Sequence, residues 1–104
     1  NRGGEKVSAK EVEDILHRMP GVREAAVVAM PHPRLGETLC AYLIVQPDSA
    51  PDLSAVLSFV SAAGVAKQKY PECVVIVDDF PRTAAGKIRK DRLRADIQAR
   101  LQQD

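Results

Sequence analysis

Apolar residues recur three and four positions apart near the start of the chain, which is the spacing of one helix face. The residues that share this spacing are Val12, Ile15, Leu16 and Met19. Ser8 followed by Glu11 matches a capping box, so the pattern predicts an amphipathic helix that begins at Ser8. Pro20 and Gly21 come directly after the apolar stripe and predict its end.

Runs rich in apolar and β-branched residues predict three strands, at residues 24–30, 38–46 and 73–77. The connection between the first two is short enough for antiparallel pairing. Pro31 is predicted to end the first strand, because proline cannot donate a hydrogen bond to the ladder. The third run is apolar throughout and predicts the centre of the sheet.

Two further helices complete the pattern. Asp52 is predicted to cap the second helix and Gly64 to end it, while the last helix is predicted from about residue 90. The apolar sides of these helices contain Leu53, Val56, Leu57 and Val60 in one and Leu93, Ile97 and Leu101 in the other. The order helix, strand, strand, helix, strand, helix predicts an α+β fold, in which helices pack on a small three-stranded sheet.

The composition is that of one compact globular domain. With 104 residues, the chain is long enough to build one core but hardly a deep substrate pocket as well. A net charge of +1 and an aromatic content of 4% argue against nucleic-acid binding, which needs a basic surface and stacking rings. No apolar run approaches the roughly 18 residues of a membrane span. We expect a cytoplasmic protein.

Cysteine and histidine indicate neither a metal site nor a catalytic triad. Cys40 and Cys73 lie in separate apolar runs without a CxxC motif, so we expect two buried free thiols. His17 lies beside the apolar positions of the first helix and His32 in a proline-rich loop, and neither is expected to be catalytic. Because the chain begins with Asn1 rather than methionine, we expect a piece of a longer protein.

The loop after the third predicted strand carries the clearest chemistry. Residues 81–88 read PRTAAGKI, so Lys87 immediately follows Gly86 between a strand and a helix. Glycine lets backbone approach a ligand closely, and a lysine ammonium suits phosphate oxygens. The loop is not a P-loop, since Pro81 and Ile88 stand where that motif needs glycine and Ser or Thr. Gly86 predicts a loop or tight turn at residues 82–88. The chemistry of this loop, taken alone, favours a solvated basic turn over a ligand site.

Two other segments are weaker candidates. The pair Gly3 and Gly4 lies among charged residues, and it either admits a ligand close to the backbone or forms a flexible turn before the helix. Residues 82–94 contain six basic residues against one acidic residue, Asp91. This basic stretch either meets a polyanion or forms the solvated face of a helix.

Both ends of the chain resemble blocks of the C-terminal domain of adenylate-forming enzymes. The opening block of that domain is similar to NRGGEKVSAKEVE, and its closing block, PRTxxGK, is similar to PRTAAGKIRK. Between them, AAVVAMPHPRLGETLCAYLIV resembles the strand-loop-strand stretch of the family. This family includes acyl- and aryl-CoA synthetases, nonribosomal adenylation domains and luciferases. The resemblance covers essentially the whole chain and implies one small, mobile C-terminal lid domain of an acyl-adenylating ligase, at residues 1–104.

The resemblance implies roles for the residues of the closing block. Lys87 matches the lysine that reaches the carboxylate and the α-phosphate during adenylation. A positioned ammonium there offsets the charge that builds at phosphorus in the transition state. Arg82, Thr83 and Gly86 match the loop that presents this lysine.

The resemblance also implies a CoA-binding surface. Gly4 matches the glycine that lines the pantetheine tunnel, and Lys69 matches the lysine of a Lys-x-Pro segment and is expected to contact the CoA nucleotide. In this family the small domain rotates as a rigid body between the two half-reactions. The acid and ATP, with its Mg²⁺, bind mainly to a large N-terminal domain, which we expect upstream of Asn1 together with the hinge residue. The chain by itself is expected to be inactive.

Three functions follow from these observations. The leading interpretation is an acyl-CoA ligase, as in fatty acid metabolism, which converts an acid, ATP and CoA to acyl-CoA, AMP and pyrophosphate. The first alternative is an aryl-acid AMP ligase that loads a carrier protein. The second is a non-catalytic binding or regulatory module, in which Lys87 is a target for acetylation. The acid itself cannot be named from this chain, because the selecting pocket belongs to the N-terminal domain.

Overall fold

The computed structural model describes residues 2–32, 36–49 and 51–102 of the chain. The elements are, in chain order, α1 (Arg2–Leu16), β1 (Val22–His32), β2 (Gly36–Val45), α2 (Leu53–Ala62), a 3₁₀ turn (Lys67–Lys69), β3 (Cys73–Ile76) and α3 (Lys90–Gln102). The predicted order of helices and strands is confirmed, and with it the α+β fold.

The three strands form one mixed sheet in the order β1-β2-β3, with β1 and β2 antiparallel and β2 and β3 parallel. The prediction that residues 73–77 form the centre of the sheet is wrong, because β2 lies at the centre and β3 at an edge. An apolar run predicts that both faces of a strand are covered, but three residues of β3 are only partly buried and the fourth is exposed. Residues 40–44 of β2 are all buried, whereas Ile76 of β3 is 42% exposed.

Helices cover both faces of the sheet and thereby create two cores. The core under α1 and α2 consists of Val12, Ile15, Leu16, Val22, Ala25, Val27, Leu39, Ala41, Leu43, Val56, Val60 and Val65. The core under α3 consists of Ala26, Val28, Met30, Cys40, Tyr42, Ile44, Phe80, Leu93 and Ile97. Successive strand residues point to opposite faces, so neighbouring residues of β1 and β2 belong to different cores.

The start of α1 differs from the prediction. The helix begins at Arg2, six residues before Ser8, so Ser8 is an interior helix position and not an N-cap. Residues with high helix propensity, such as Glu5 and Lys6, extend the helix across the two glycines, although each glycine costs about 1 kcal/mol relative to alanine. A capping box marks a possible helix start, but in this chain the helix begins further upstream.

The helix α1 lies along the free edge of β1. The N–H of Ala25 donates to Nε2 of His17 at 3.2 Å, and the N–H of Val27 donates to Oε1 of Glu13 at 3.0 Å. Glu13 and His17 are four residues apart, which is a rise of about 6 Å along a helix, and two strand residues span about 6.7 Å, so the donors and acceptors match in spacing. These bonds satisfy edge donors that would otherwise template pairing with another chain. His17 is therefore a structural acceptor.

The same edge explains why Pro31 lies within β1, contrary to the prediction that it ends the strand. Pro31 lies opposite Glu37 of β2. It is an even number of residues from Ala25 and Val27, whose N–H groups point away from β2. A proline at such a position on an edge strand removes no hydrogen bond from the ladder.

Candidate functional site

A tight hairpin lies between β3 and α3. Arg82 and Ile88 form an antiparallel bridge, and the N–H of Thr83 donates to the carbonyl of Lys87 at 2.8 Å. The N–H of Gly86 donates to the carbonyl of Thr83 at 2.9 Å, and Thr83 Oγ1 accepts from the N–H of Lys87 at 3.2 Å. This is the pattern of a three-residue hairpin loop, whose last residue adopts a left-handed conformation. The backbone at Lys87 is therefore held on both sides.

Gly86 serves this hairpin through its backbone conformation. Its φ is +91°, in the left-handed region that residues with a Cβ rarely adopt. A Cβ at this position would meet nothing within 4 Å, so the glycine is required by the turn and not by close packing. The predicted tight turn is confirmed, whereas the close approach of a ligand to Gly86 stays a prediction.

The side chain of Lys87 is free, unlike those of the other basic residues in residues 82–90. Arg82, Arg89 and Lys90 each pair with a carboxylate at 2.6 to 3.0 Å. Lys87 is exposed, and no carboxylate in the described part of the chain pairs with it. An ammonium on a fixed backbone, without an internal counter-ion, is available to an anion that arrives from outside.

Arg82 joins the hairpin to β1. Its Nη2 lies 3.0 Å from each carboxylate oxygen of Glu24 and 3.2 Å from Oδ1 of Asp79. The guanidinium carbon lies 5.8 Å from the ring centre of Phe80, which is within the range of a cation–π contact. The Phe80 backbone N–H and, after it, Arg82 hold the pKa of Asp79 below its usual value, so this carboxylate stays ionised beside the arginine.

Lys69 and Gly4, the two residues that the resemblance assigns to CoA, are related through α1. Lys69 lies in the 3₁₀ turn and pairs with Glu11 at 3.1 Å, with 34% of its side chain exposed. Gly4 precedes Glu11 by seven residues in α1. Seven residues are about two helical turns, so Gly4 and Glu11 lie on the same side of the helix, about 10 Å apart along its axis.

Cys40 and Cys73 are opposite each other in the parallel register of β2 and β3, and both thiols are free, as predicted. Cys40 is buried as expected, whereas Cys73 is only partly buried, because it lies on the edge strand β3. Burial, and then the neighbouring Cys73, raises the pKa of the Cys40 thiol. Among the described residues, no group of three His, Cys, Asp or Glu side chains could hold a metal ion. None of the helices described in the structure has the length and apolar composition needed to cross a membrane.

Two carboxylates that contact the hairpin and its flank are not marked in the sequence, namely Glu13 and Glu24. Glu24 and its partner Arg82 are 58 residues apart in the chain. Glu13 is the last residue of the opening block NRGGEKVSAKEVE and Glu24 is the first residue of the first predicted strand, but neither pattern indicates a contact with the hairpin. Their partners become neighbours only when the sheet edge forms.

Residues 11–87 match the family model described as the AMP-binding enzyme C-terminal domain. The chain belongs to this family. It is 50% identical over 104 residues to the medium-chain fatty-acid–CoA ligase of Escherichia coli (strain K12), with 99% of this chain covered. It is 44% identical over 101 residues to the 2,3-dihydroxybenzoate-AMP ligase of Bacillus subtilis (strain 168), with 97% covered. The resemblance to adenylate-forming enzymes is thus confirmed.

Structural similarity to solved proteins indicates the same family. The ATP-bound MatB of Rhodopseudomonas palustris superposes with a TM-score of 0.79 at 36% identity, over 85% of this chain and 17% of that one. A fatty acyl CoA synthetase of Mycobacterium tuberculosis superposes with a TM-score of 0.77 at 28% identity, over 86% of this chain and 17% of that one. This AMP-binding enzyme C-terminal domain also spans only 18% of the E. coli ligase and 19% of the B. subtilis ligase.

Proposed function

We propose that this chain is the C-terminal domain of an ATP-dependent acyl-CoA ligase and that Lys87 is its adenylation lysine. In the first half-reaction a carboxylate attacks the α-phosphorus of ATP, giving an acyl-adenylate and pyrophosphate. In the second, the CoA thiol attacks the acyl carbon and AMP leaves. The family to which the chain belongs supports the adenylation step, and the 50% identity to a medium-chain fatty-acid–CoA ligase supports an acyl acid and CoA as substrates.

The free, exposed ammonium of Lys87 on a fixed hairpin carries this proposal. Attack of a carboxylate on ATP brings two anions together and builds negative charge on the phosphate oxygens. A cation that is already in place lowers this barrier without reorganising at the moment of reaction. The other cations between residues 82 and 90 are neutralised by carboxylates, so Lys87 is the cation in this segment that is available to bind a phosphate.

The remaining parts of the reaction belong to the rest of a longer protein. The chain spans less than a fifth of the length of the relatives described above, which supports a large N-terminal domain as its partner. We assign the acid-binding pocket, the main ATP site and the Mg²⁺ that accompanies ATP to that domain. We place the ligase in the cytoplasm.

The geometry of α1 supports two working surfaces, one for each half-reaction. Glu11 contacts Lys69, on the side of the helix where Gly4 also lies, whereas Glu13 contacts Lys90 next to the lysine hairpin. Successive helix residues are about 100° apart, so these two contacts diverge by about 200° around α1. Both surfaces can reach one active site only in turn, as a rotating domain allows.

Replacing Lys87 with alanine in the full-length protein tests this function. We expect ATP–pyrophosphate exchange to slow by about 100-fold or more, because an electrostatic contact of the transition state is lost. Thioester formation from pre-made acyl-adenylate is expected to stay nearly unchanged. Lys10→Ala, which removes an exposed lysine of α1, is the matched control. Unchanged pyrophosphate exchange in Lys87→Ala would favour a non-catalytic binding or regulatory module.

A second candidate function is an aryl-acid AMP ligase that loads a carrier protein. The 44% identity to a 2,3-dihydroxybenzoate-AMP ligase favours it, and the adenylation chemistry of Lys87 would be the same. The two functions differ in the acid and in the thiol acceptor. Assaying the full-length protein with fatty and aryl acids, and with CoA and a carrier protein as acceptors, separates them.

A further inference from the structure

The lysine hairpin is held near each of its ends by a carboxylate from another element. Arg82, at its start, pairs with Glu24 of β1, and Lys90, three residues after Lys87, pairs with Glu13 of α1. Both carboxylates lie at the free edge of the sheet, where α1, β1 and the hairpin meet. These two ion pairs connect the hairpin to β1 and α1, neither of which is adjacent to it in the chain.

The contact with Glu24 is more than an ordinary surface ion pair. Both oxygens of Glu24 accept from Nη2 of Arg82 at 3.0 Å, while Asp79 and the ring of Phe80 hold the same guanidinium from other directions. An isolated surface pair contributes only about 0–1 kcal/mol, in part because two mobile side chains must be ordered. Here the guanidinium is already ordered, so Glu24 restrains the direction in which the hairpin leaves the sheet.

The contact with Glu13 is the more buried of the two. Glu13 Oε1 lies 2.6 Å from Nζ of Lys90, and the same oxygen accepts from the N–H of Val27 at 3.0 Å. Its side chain is only 12% exposed, so solvent and salt screen the pair weakly. Because a strand backbone holds Glu13 in place, this pair sets the position of Lys90, and with it the end of the hairpin, relative to the sheet.

We propose that Glu13 and Glu24 are positioning residues for Lys87, which orient the hairpin so that its ammonium meets the α-phosphate. The inference rests on the proposed function of Lys87. Residues 83–87 are all exposed, so packing adds no restraint between the two ends of the turn. A displacement of about 1 Å at a reacting group costs about 100-fold in rate, which makes the two anchors matter for catalysis.

Replacing each glutamate separately with glutamine in the full-length protein tests this proposal. Glutamine keeps the size of the side chain and, at position 13, an oxygen that accepts from Val27, so the change removes mainly the negative charge. We expect the kcat of ATP–pyrophosphate exchange to fall about 10-fold, with KM for ATP and acid within about twofold, because the substrates bind elsewhere. Thioester formation from pre-made acyl-adenylate should be unchanged.

Asp14→Asn is the matched control for both variants. Asp14 is next to Glu13 in α1, but its carboxylate pairs with Lys10 on the exposed side of the helix. We expect Asp14→Asn to leave both half-reactions unchanged. In a Lys87→Ala background, Glu13→Gln and Glu24→Gln should cause no further loss of pyrophosphate exchange, because they act through the lysine that is already missing.

Three results would overturn the proposal. Pyrophosphate exchange in the two glutamine variants could equal that of Asp14→Asn, both half-reactions could fall equally, or the loss could persist in the Lys87→Ala background. The last two results would assign the glutamates to general stability. Failure of the proposed function gives a different result, since Lys87→Ala alone would then leave pyrophosphate exchange intact.

Discussion

The hydroxyl group of Tyr42 connects the sheet to α3 by hydrogen bonding. It lies in the centre of β2 and is 1% exposed, and its hydroxyl donates to Oδ2 of Asp96 at 2.6 Å. Asp96 also accepts from Arg100 at 2.7 Å. Burial and then Asp96 raise the pKa of Tyr42, while Tyr42 and then Arg100 hold the pKa of Asp96 below its usual 3.8. The pair joins a core residue to a carboxylate at the surface.

We expect Tyr42→Phe to lower the free energy of unfolding by about 1.5–3 kcal/mol at neutral pH, because a hydrogen bond to a charged acceptor is lost. The Asp96 pKa is lower in the folded than in the unfolded chain, so this stabilisation is complete above pH 3.8 and is lost as the pH falls through the folded-state pKa. The difference between wild type and Tyr42→Phe should therefore shrink in acid. Urea unfolding across this pH range measures it.

Tyr70→Phe is the control for this experiment, since the hydroxyl of Tyr70 has no hydrogen bond within the described residues. It should change stability little at any pH. A Tyr42→Phe difference that is constant from neutral pH into acid would contradict the assigned role of the Asp96 carboxylate.

Residues close in the chain define both ends of the helix α2. Asp52 is its N-cap, and Oδ1 of Asp52 accepts from the N–H of Ala55 at 2.9 Å. Gly64, with φ +91°, follows its last turn, as the sequence predicted. Val56 and Val60 are buried on its apolar side. Both ends and the inner face of α2 are therefore specified by residues within or next to the helix.

We expect Asp52→Ala to lower the free energy of unfolding by about 1 kcal/mol, because the cap satisfies an N–H that the helix leaves free. Ser54→Ala, in the first turn of the same helix, is the control, since the side chain of Ser54 has no capping contact. Thermal or urea unfolding of the two variants measures the difference. Equal stability of the two variants would mean that Asp52 does not act as a cap in solution.

In the whole molecule, the lysine hairpin and the proposed CoA surface at Gly4 and Lys69 belong to one packed domain. The helix α1 contacts β1, α2 and the 3₁₀ turn, and through Glu13 it also reaches α3. A rotation of this body therefore moves both surfaces together. A substitution on the CoA surface should leave adenylation intact.

We expect Gly4→Leu in the full-length protein to slow thioester formation strongly while pyrophosphate exchange is retained, because a side chain would obstruct the pantetheine path. Leucine favours a helix by about 1 kcal/mol over glycine, so loss of α1 would not explain the effect. Gly3→Leu, about 100° around the helix axis, is the matched control. A selective adenylation defect in Gly4→Leu would instead assign Gly4 to the other surface.

The features of this protein that depend on neighbouring residues in the chain can be predicted from its amino-acid sequence. Periodicity specified the order of the elements, Asp52 and Gly64 specified the ends of α2, and the motif around Gly86 and Lys87 specified a tight turn that presents an ammonium. The hairpin residues Arg82, Thr83, Gly86 and Lys87 could be predicted as one set because they lie within six consecutive residues. The two terminal blocks were also sufficient to identify the family.

Tertiary packing determines which strand lies at the centre, why Pro31 is tolerated in β1, and which carboxylates hold the hairpin. An apolar run does not reveal whether a strand has one neighbour or two, so β3 could not be recognised as an edge. The sequence around Glu13 and Glu24 carries no signal for these contacts, and the two residues acquire their partners only when α1, β1 and the hairpin come together. Such contacts join residues far apart in the chain, and no local pattern encodes them.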